Sequence, residues 1–479
     1  MKDRKKVLIL SFLTFLGFAL RLGAVSYGNF AFTFDVGRDL LAVQKIVSQK
    51  RPTLLGPTSG IPGFFYTSWW YYFLLPSFII SSGSPFGVVL SIVLLGSLMV
   101  PLSFLLGKLV GDERLGLIFS SLVSVSPYLI SASTQIWSPN LVPFLTLLVF
   151  IFYFFLTQGK LWPSFFLGFF LGLIFESEMG FGFLFIPSTL VTLFFARKVI
   201  RNWKKVIFFV LLGLCFVELP RLLFELRHNF LQTRSLLRFF QLGQEELSLS
   251  PHFERLFYLY HVWISSVAGK NNFLGLVLAL FTFFSLFCQL KTKWKYLISL
   301  SLLTTFLFFL EIVFWPKDFW GHYLIGLGLI FVFLVSLTFN FWKRSLPFVF
   351  LLFLFNLNFP SAIKFFQPPS WEGDAAVFRN QIAVVDYVYQ QARGEKFNYI
   401  AYTPPLIDYT WQYLFSWYGK RKYGYPPSQS TQRLFFVILE PDYQMPERRE
   451  IWLEQRKGDG RIVKREIVKG GIEVETRVR

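Results

Sequence analysis

The chain has 479 residues, of which 54% are hydrophobic and 20% aromatic, with 63 phenylalanines among them. No soluble domain keeps that composition in water, so the sequence reads as a mainly α-helical, polytopic membrane protein. A formal charge of +19 would suggest nucleic acid in a soluble chain. Here the excess lies in short loops between apolar runs, where retention of Lys and Arg on the cytoplasmic side explains it, and no nucleic-acid partner is expected.

The basic stretch Met1–Lys6 leads into an apolar run over 7–25. It reads as an uncleaved first helix, because Leu22-Gly23-Ala24-Val25-Ser26 makes a poor cleavage site and more spans follow. The large first outer loop, 26–85, then brings Phe34-Asp35-Val36-Gly37-Arg38-Asp39. On a helix Asp35 and Asp39 share a face, with Arg38 one turn from Asp35. A carboxylate placed there suits a general base, while the plainer reading is a helix cap and a surface ion pair. The loop runs on through Leu55-Gly56-Pro57-Thr58-Ser59-Gly60-Ile61-Pro62-Gly63, whose glycines and prolines suit close backbone approach to a ligand.

The next hydrophobic stretch, Phe64–Ser82, carries Tyr66, Trp69, Trp70, Tyr71 and Tyr72, rings that favour the headgroup level. It is read as an interfacial helix. Were it to cross, Arg197, Lys198, Arg201, Lys204, Lys205, Lys291, Lys293, Lys295, Lys343 and Arg344 would all face outward. A crossing helix needs about 20 apolar residues. Eleven spans are expected: 7–25, 86–107, 115–133, 140–157, 162–178, 181–196, 204–223, 273–290, 296–315, 322–341 and 346–361.

With the N-terminus cytoplasmic, Glu176 and Glu178 fall at the outer end of the fifth span. They offer two carboxylates to a divalent cation with Asp35 as a third, against the plainer reading of a polar helix terminus. Arg221, Arg227 and His228 cluster about the end of the seventh span. A second outer loop, 224–272, contains His261 on an amphipathic segment, and His322 opens the tenth span. Arginine beside hydrocarbon needs a partner, and the phosphate of a lipid-borne substrate would serve. Snorkelling is the alternative for each residue taken singly. Cys215 and Cys288 lie inside apolar spans and read as small core residues.

After Pro368-Pro369 the apolar runs stop and charges of both signs alternate. A helix is expected over Ala375–Arg393, buried strands at Phe397–Tyr402 and Leu434–Leu439, and a hairpin of Arg461–Val468 with Ile472–Val478 across Gly470-Gly471. The organisation is thus a transmembrane domain, 1–362, and a small extracytoplasmic α/β domain, 368–479, of about 110 residues, enough for its own core.

These features together resemble the integral-membrane glycosyltransferases of the GT-C fold, in particular the protein mannosyltransferase and aminoarabinose transferase branch (glycosyltransferase family 39-like). The likeness is carried by Arg21, the Asp35-Val36-Gly37-Arg38-Asp39 loop, Leu55-Gly56-Pro57 and Phe65-Tyr66…Tyr71-Tyr72. It continues in Ser126-Pro127, Trp137-Ser138-Pro139-Asn140 and Pro220…Phe224-Glu225-Leu226-Arg227-His228, so it covers about residues 1–360. It implies a GT-C-like helical bundle that moves a sugar from a polyprenyl-phosphate donor to a lipid, glycan or protein acceptor on the outer face of the plasma (inner) membrane. Asp35 then matches the base, supported by Asp39, with Arg38, Tyr66, Arg221, Arg227, His228, His261 and His322 toward substrate. One departure stands out: the aminoarabinose branch uses a Lys in the first loop for the donor phosphate, whereas Pro62-Gly63-Phe64-Phe65-Tyr66 has none. Arg227, His228 and His322 are then the candidates for that contact.

The alternative class is a transporter or flippase of lipid-linked sugars, for which Glu311 is the main residue and an inverted repeat the missing sign. A mere membrane anchor for the tail would not need eleven spans.

Overall fold

The computed structural model describes residues 2–200, 202–242, 252–289, 295–315, 319–367, 373–405 and 407–479. Arg201, Lys291, Lys293, Pro368-Pro369 and part of the 224–272 loop lie outside the described residues. The chain opens with α1 (Lys2–Val25), then α2 (Phe34–Gln49) and a hairpin of β1 (Leu55–Thr58) and β2 (Phe65–Thr67) that runs into α3 (Trp69–Ile80). α4 (Pro85–Val110), α5 (Glu113–Val125), α6 (Pro127–Ser131), α7 (Val142–Thr157), α8 (Pro163–Ser177), α9 (Met179–Phe195) and α10 (Trp203–Arg227) follow. α11 (Leu231–Leu242) and α12 (Leu256–Val267) lead to α13 (Asn272–Gln289), α14 (Lys295–Phe314), α15 (Leu327–Phe341), α16 (Leu346–Leu357) and α17 (Phe359–Lys364).

Every expected span is built on helix among its described residues, and eight helical segments there are long and apolar enough to cross a membrane alone. The other three expected spans give shorter helices, for local reasons. The run 115–133 breaks at Ser126, whose hydroxyl binds the Ser266 carbonyl at 2.8 Å, and Pro127, lacking an N–H, starts α6. The run 162–178 yields α8, 15 residues long, or about 22 Å at 1.5 Å per residue. α16 ends where Asn358 turns left-handed at φ 44°.

Arg21 is fully buried in this bundle. It donates to the carbonyls of Gly17 (2.9 Å), Val123 (3.2 Å) and Ser124 (3.4 Å) and to Ser133 Oγ (3.2 Å). Two of those carbonyls close α5, so the guanidinium sits at the negative end of a helix dipole. The Gly-Pro passage of the first loop packs on its own chain at Gly56. A Cβ on Gly56 would stand 2.1 Å from the Thr67 carbonyl oxygen, so the missing side chain lets β1 meet β2, and the close approach there is to the chain itself.

The tail comprises α18 (Phe378–Ala392), β3 (Phe397–Tyr402), α19 (Tyr409–Leu414), α20 (Lys420–Tyr423), β4 (Leu434–Leu439), α21 (Pro446–Glu454), β5 (Arg461–Ile467) and β6 (Glu473–Val478). Its sheet runs β3-β4-β6-β5, with β3 parallel to β4 and the other pairs antiparallel. Central β4, Leu434-Phe435-Phe436-Val437-Ile438-Leu439, is buried along nearly its whole length, as a strand covered on both faces must be.

This sheet domain is docked on the first loop. Phe32 N donates to the Ala376 carbonyl (2.7 Å), Phe378 N to that of Phe30 (3.0 Å), and Gln381 Nε2 to that of Phe32 (3.0 Å). Trp417 Nε1 donates to the Ser82 carbonyl at 2.9 Å and the Tyr413 hydroxyl to that of Gly83. α19 crosses α2 so closely that a Cβ on Gly37 would lie 2.6 Å from the Thr410 nitrogen. Only glycine lets the two backbones meet there.

Candidate functional site

The site grows from the first turn of α2. Arg38 reaches both carboxylates of its own helix, Nη1 to Asp35 Oδ1 at 2.8 Å and Nε to Asp39 Oδ1 at 2.9 Å. The two acids differ in setting. The Asp35 side chain is 43% exposed, that of Asp39 3%. Asp39 Oδ2 accepts from Trp70 Nε1 at 2.7 Å, so the aromatic α3 clamps α2 through this carboxylate. Arg38 Nη1 also reaches Thr58 Oγ1 at 3.3 Å, adding the β1–β2 hairpin to the same anchor.

Burial pushes the Asp39 carboxyl up to about 6, with Arg38 and the Trp70 N–H pulling the other way. The folded protein therefore holds this proton at pH values where the unfolded chain has lost it. Its stabilising share is complete below about pH 4 and fades as pH rises through about 6, on the order of 3 kcal/mol in total. We expect thermal scans of purified protein to show Asp39→Asn gaining on wild type between pH 4 and 7. A difference that is flat across that range would remove this assignment.

A second group gathers around the start of α9. Glu178, 3% exposed, caps α9 by accepting from Gly180 N at 3.1 Å, and its Oε2 lies 3.8 Å from His322 Nε2. The His322 ring packs against Trp137 at 4.9 Å. The Tyr66 phenol meets the backbone of Met179. Burial and the Glu178 charge push its pKa up, so it stays protonated at neutral pH. The Glu311 Oε2 is buried and has no hydrogen-bond partner among the described residues. Glu178 thus meets His322 directly, with Tyr66 against the neighbouring Met179 backbone.

Glu176 points elsewhere. It pairs with Arg221 Nη2 and accepts from the Thr67 N–H, while Arg221 Nη1 holds Glu218 Oε2 at 2.8 Å. The guanidinium also lies over Phe64 and Phe175, at 4.6 and 5.7 Å. Arg221, expected to face a substrate phosphate, is paired with Glu176 and Glu218. Glu176 and Glu178, expected as a cation pair, take separate partners, and among the described residues no three His, Cys, Asp or Glu side chains are grouped to hold a metal.

The remaining expected basic groups are more remote. Arg227, His228 and His261 are exposed, His228 stacking on Phe224 at 4.0 Å. No hydrogen bond or ion pair among the described residues ties them to Asp35. Sequence reasoning missed Trp70 as the Asp39 clamp, Glu218 as the second Arg221 partner and the tail residues Tyr409 and Gln412 beside Arg38. Only Glu218 had a readable signal, its three-residue spacing from Arg221 on a helix.

Searches against protein-family models and against curated proteins found no match. Among solved structures, the chain is similar to ArnT from Cupriavidus metallidurans in the apo state, at 9% identity and TM-score 0.63, covering 100% of this chain and 99% of that one. ArnT bound to undecaprenyl phosphate gives 0.62 at 10% identity over 98% of each chain. Archaeal oligosaccharyltransferase AglB from Archaeoglobus fulgidus, in complex with an inhibitory peptide and a dolichol-phosphate, gives 0.48 at 14% identity, over 92% of this chain and 62% of that one. The likeness to ArnT establishes the fold: a polytopic, mainly helical GT-C-like protein, as the sequence resemblance implied.

Proposed function

We propose that this chain is a membrane glycosyltransferase that moves a sugar from a polyprenyl-phosphate carrier to an acceptor at the outer face of the membrane, with inversion. The observation that carries the reading is Asp35: a half-exposed carboxylate fixed by Arg38 in the first turn of α2, the helix on which the tail is docked. ArnT, whose fold this is, has been crystallised with undecaprenyl phosphate, which supports a lipid phosphate as the donor's carrier.

In this mechanism Asp35 takes the proton of the acceptor hydroxyl or amine as its lone pair attacks the anomeric carbon. The bond from that carbon to the phosphate oxygen breaks, and the carrier leaves as the free polyprenyl phosphate. Arg38 orients the base, and Asp39 orients Arg38. Arg38 is the cation nearest this reaction, and His322, beside Glu178 and Trp137, is a candidate hydrogen-bond donor to the departing phosphate. The exposed Arg227, His228 and His261 would act on the carrier before the reaction. The N-terminus is cytoplasmic in this reading and the 368–479 domain extracytoplasmic.

Proteoliposomes separate this from transport. Given undecaprenyl-phosphate sugars radiolabelled in the sugar and a crude envelope acceptor, the protein is expected to release undecaprenyl phosphate and form a new glycosidic product. Labelled sugar that crosses the bilayer still joined to its carrier would favour the flippase.

A further inference from the structure

The tail domain was given no role by the sequence, yet it walls one side of a cleft that begins at Arg38. The cleft holds about 700 Å³ and is lined by Arg38, Gln44, Lys45 and Ser48 of α2 and by Tyr409 and Gln412 of α19. That volume is in the range of small-ligand sites. Arg38, Leu41, Ala42 and Lys45 recur at helical spacing, so they form one stripe leading away from Asp35. Arg38 therefore borders the reactive carboxylate on one side and the cleft on the other.

We propose that this cleft binds the acceptor, and that the acceptor is a glycan bearing an anionic substituent. The side chains are suited to that chemistry. Gln412 Nε2 is steadied by Asp408 Oδ1 at 2.7 Å, and Gln44 Oε1 accepts from Ser416 Oγ at 3.5 Å, so both amides stand oriented for sugar hydroxyls. The Tyr409 ring, braced by Phe34 at 5.0 Å, offers a face for a pyranose ring. Lys45 is exposed and has no acidic partner among the described residues, leaving its charge for a carboxylate or phosphate. Both walls are helices, so an extended peptide would find no strand edge to pair with. The close meeting of Gly37 with Thr410 fixes the width of the cleft.

The name "acceptor" rests on the proposed transfer; binding does not, and the two can fail separately. The probes are trigalacturonate and neutral maltotriose, titrated into the full-length protein in nanodiscs. Trigalacturonate should bind at least about tenfold more tightly, and Lys45→Glu and Gln412→Ala should each weaken it by about tenfold, as loss of a charge-assisted or oriented hydrogen bond does. Lys45→Arg should restore binding, which a folding defect would not allow. No binding of trigalacturonate, equal binding of the two sugars, or indifference to both substitutions overturns the proposal. Saccharide binding without any transfer in proteoliposomes would keep the cleft and remove the glycosyltransferase reading. Transfer that is insensitive to Lys45→Glu would do the reverse.

Discussion

Asp35→Asn is expected to lower sugar transfer by roughly 10²–10⁴-fold, the usual worth of a positioned base, with insertion and thermal stability unchanged. Asparagine keeps the shape of the side chain and an oxygen for Arg38, whose contact to Asp35 Oδ1 is 2.8 Å. Arg38 would also remain anchored through Asp39 and Thr58. What disappears is the ability to accept a proton. The contrast with Asp39 makes the experiment specific. Asp39 is buried and bonded to both Arg38 and Trp70, so its replacement disturbs how α2 sits on α3 and should register in stability and pH response before it registers in chemistry. Transfer at wild-type rate in Asp35→Asn would move the base to another residue, with Glu178, beside His322, the next candidate.

Much of this arrangement could be read from residue types and spacing. The alternation of apolar runs and basic loops located every long helix, and the strands at 397–402 and 434–439 follow from short apolar runs flanked by turns. The Asp35–Arg38–Asp39 geometry is local to one helical turn, so spacing alone sufficed for it. Long-range partnerships were not legible. Nothing in the neighbourhood of Trp70 says that its indole meets a carboxylate 31 positions earlier, or that Tyr409 will lie against Phe34. Gly56 misled for a related reason. A glycine reports that some backbone comes close, and it does not say whose; at Gly56 it is β2, at Gly37 it is the tail.

Arg221 shows the same limit for charge, and it supports the second large effect. An arginine at the end of an apolar span needs an anion, and sequence leaves open whether that anion is a substrate or another part of the fold. Here it is Glu176 of α8 and Glu218 of its own helix, with the Thr67 N–H of β2 bonded to the same Glu176. Arg221→Met would leave two adjacent carboxylates without their shared cation, one of them nearly buried. Breaking such a pair costs about 3–5 kcal/mol, so the melting temperature should fall strongly, whatever substrate is supplied. Arg221→Lys keeps the charge but cannot fork to both acids, and should fall between the two. Adding Glu176→Gln to Arg221→Met should recover part of the loss, because it removes the stranded charge, and the size of that recovery measures the coupling. If instead Arg221→Met melts like wild type and loses only donor affinity, the guanidinium serves the substrate phosphate, and the two glutamates are merely its resting partners.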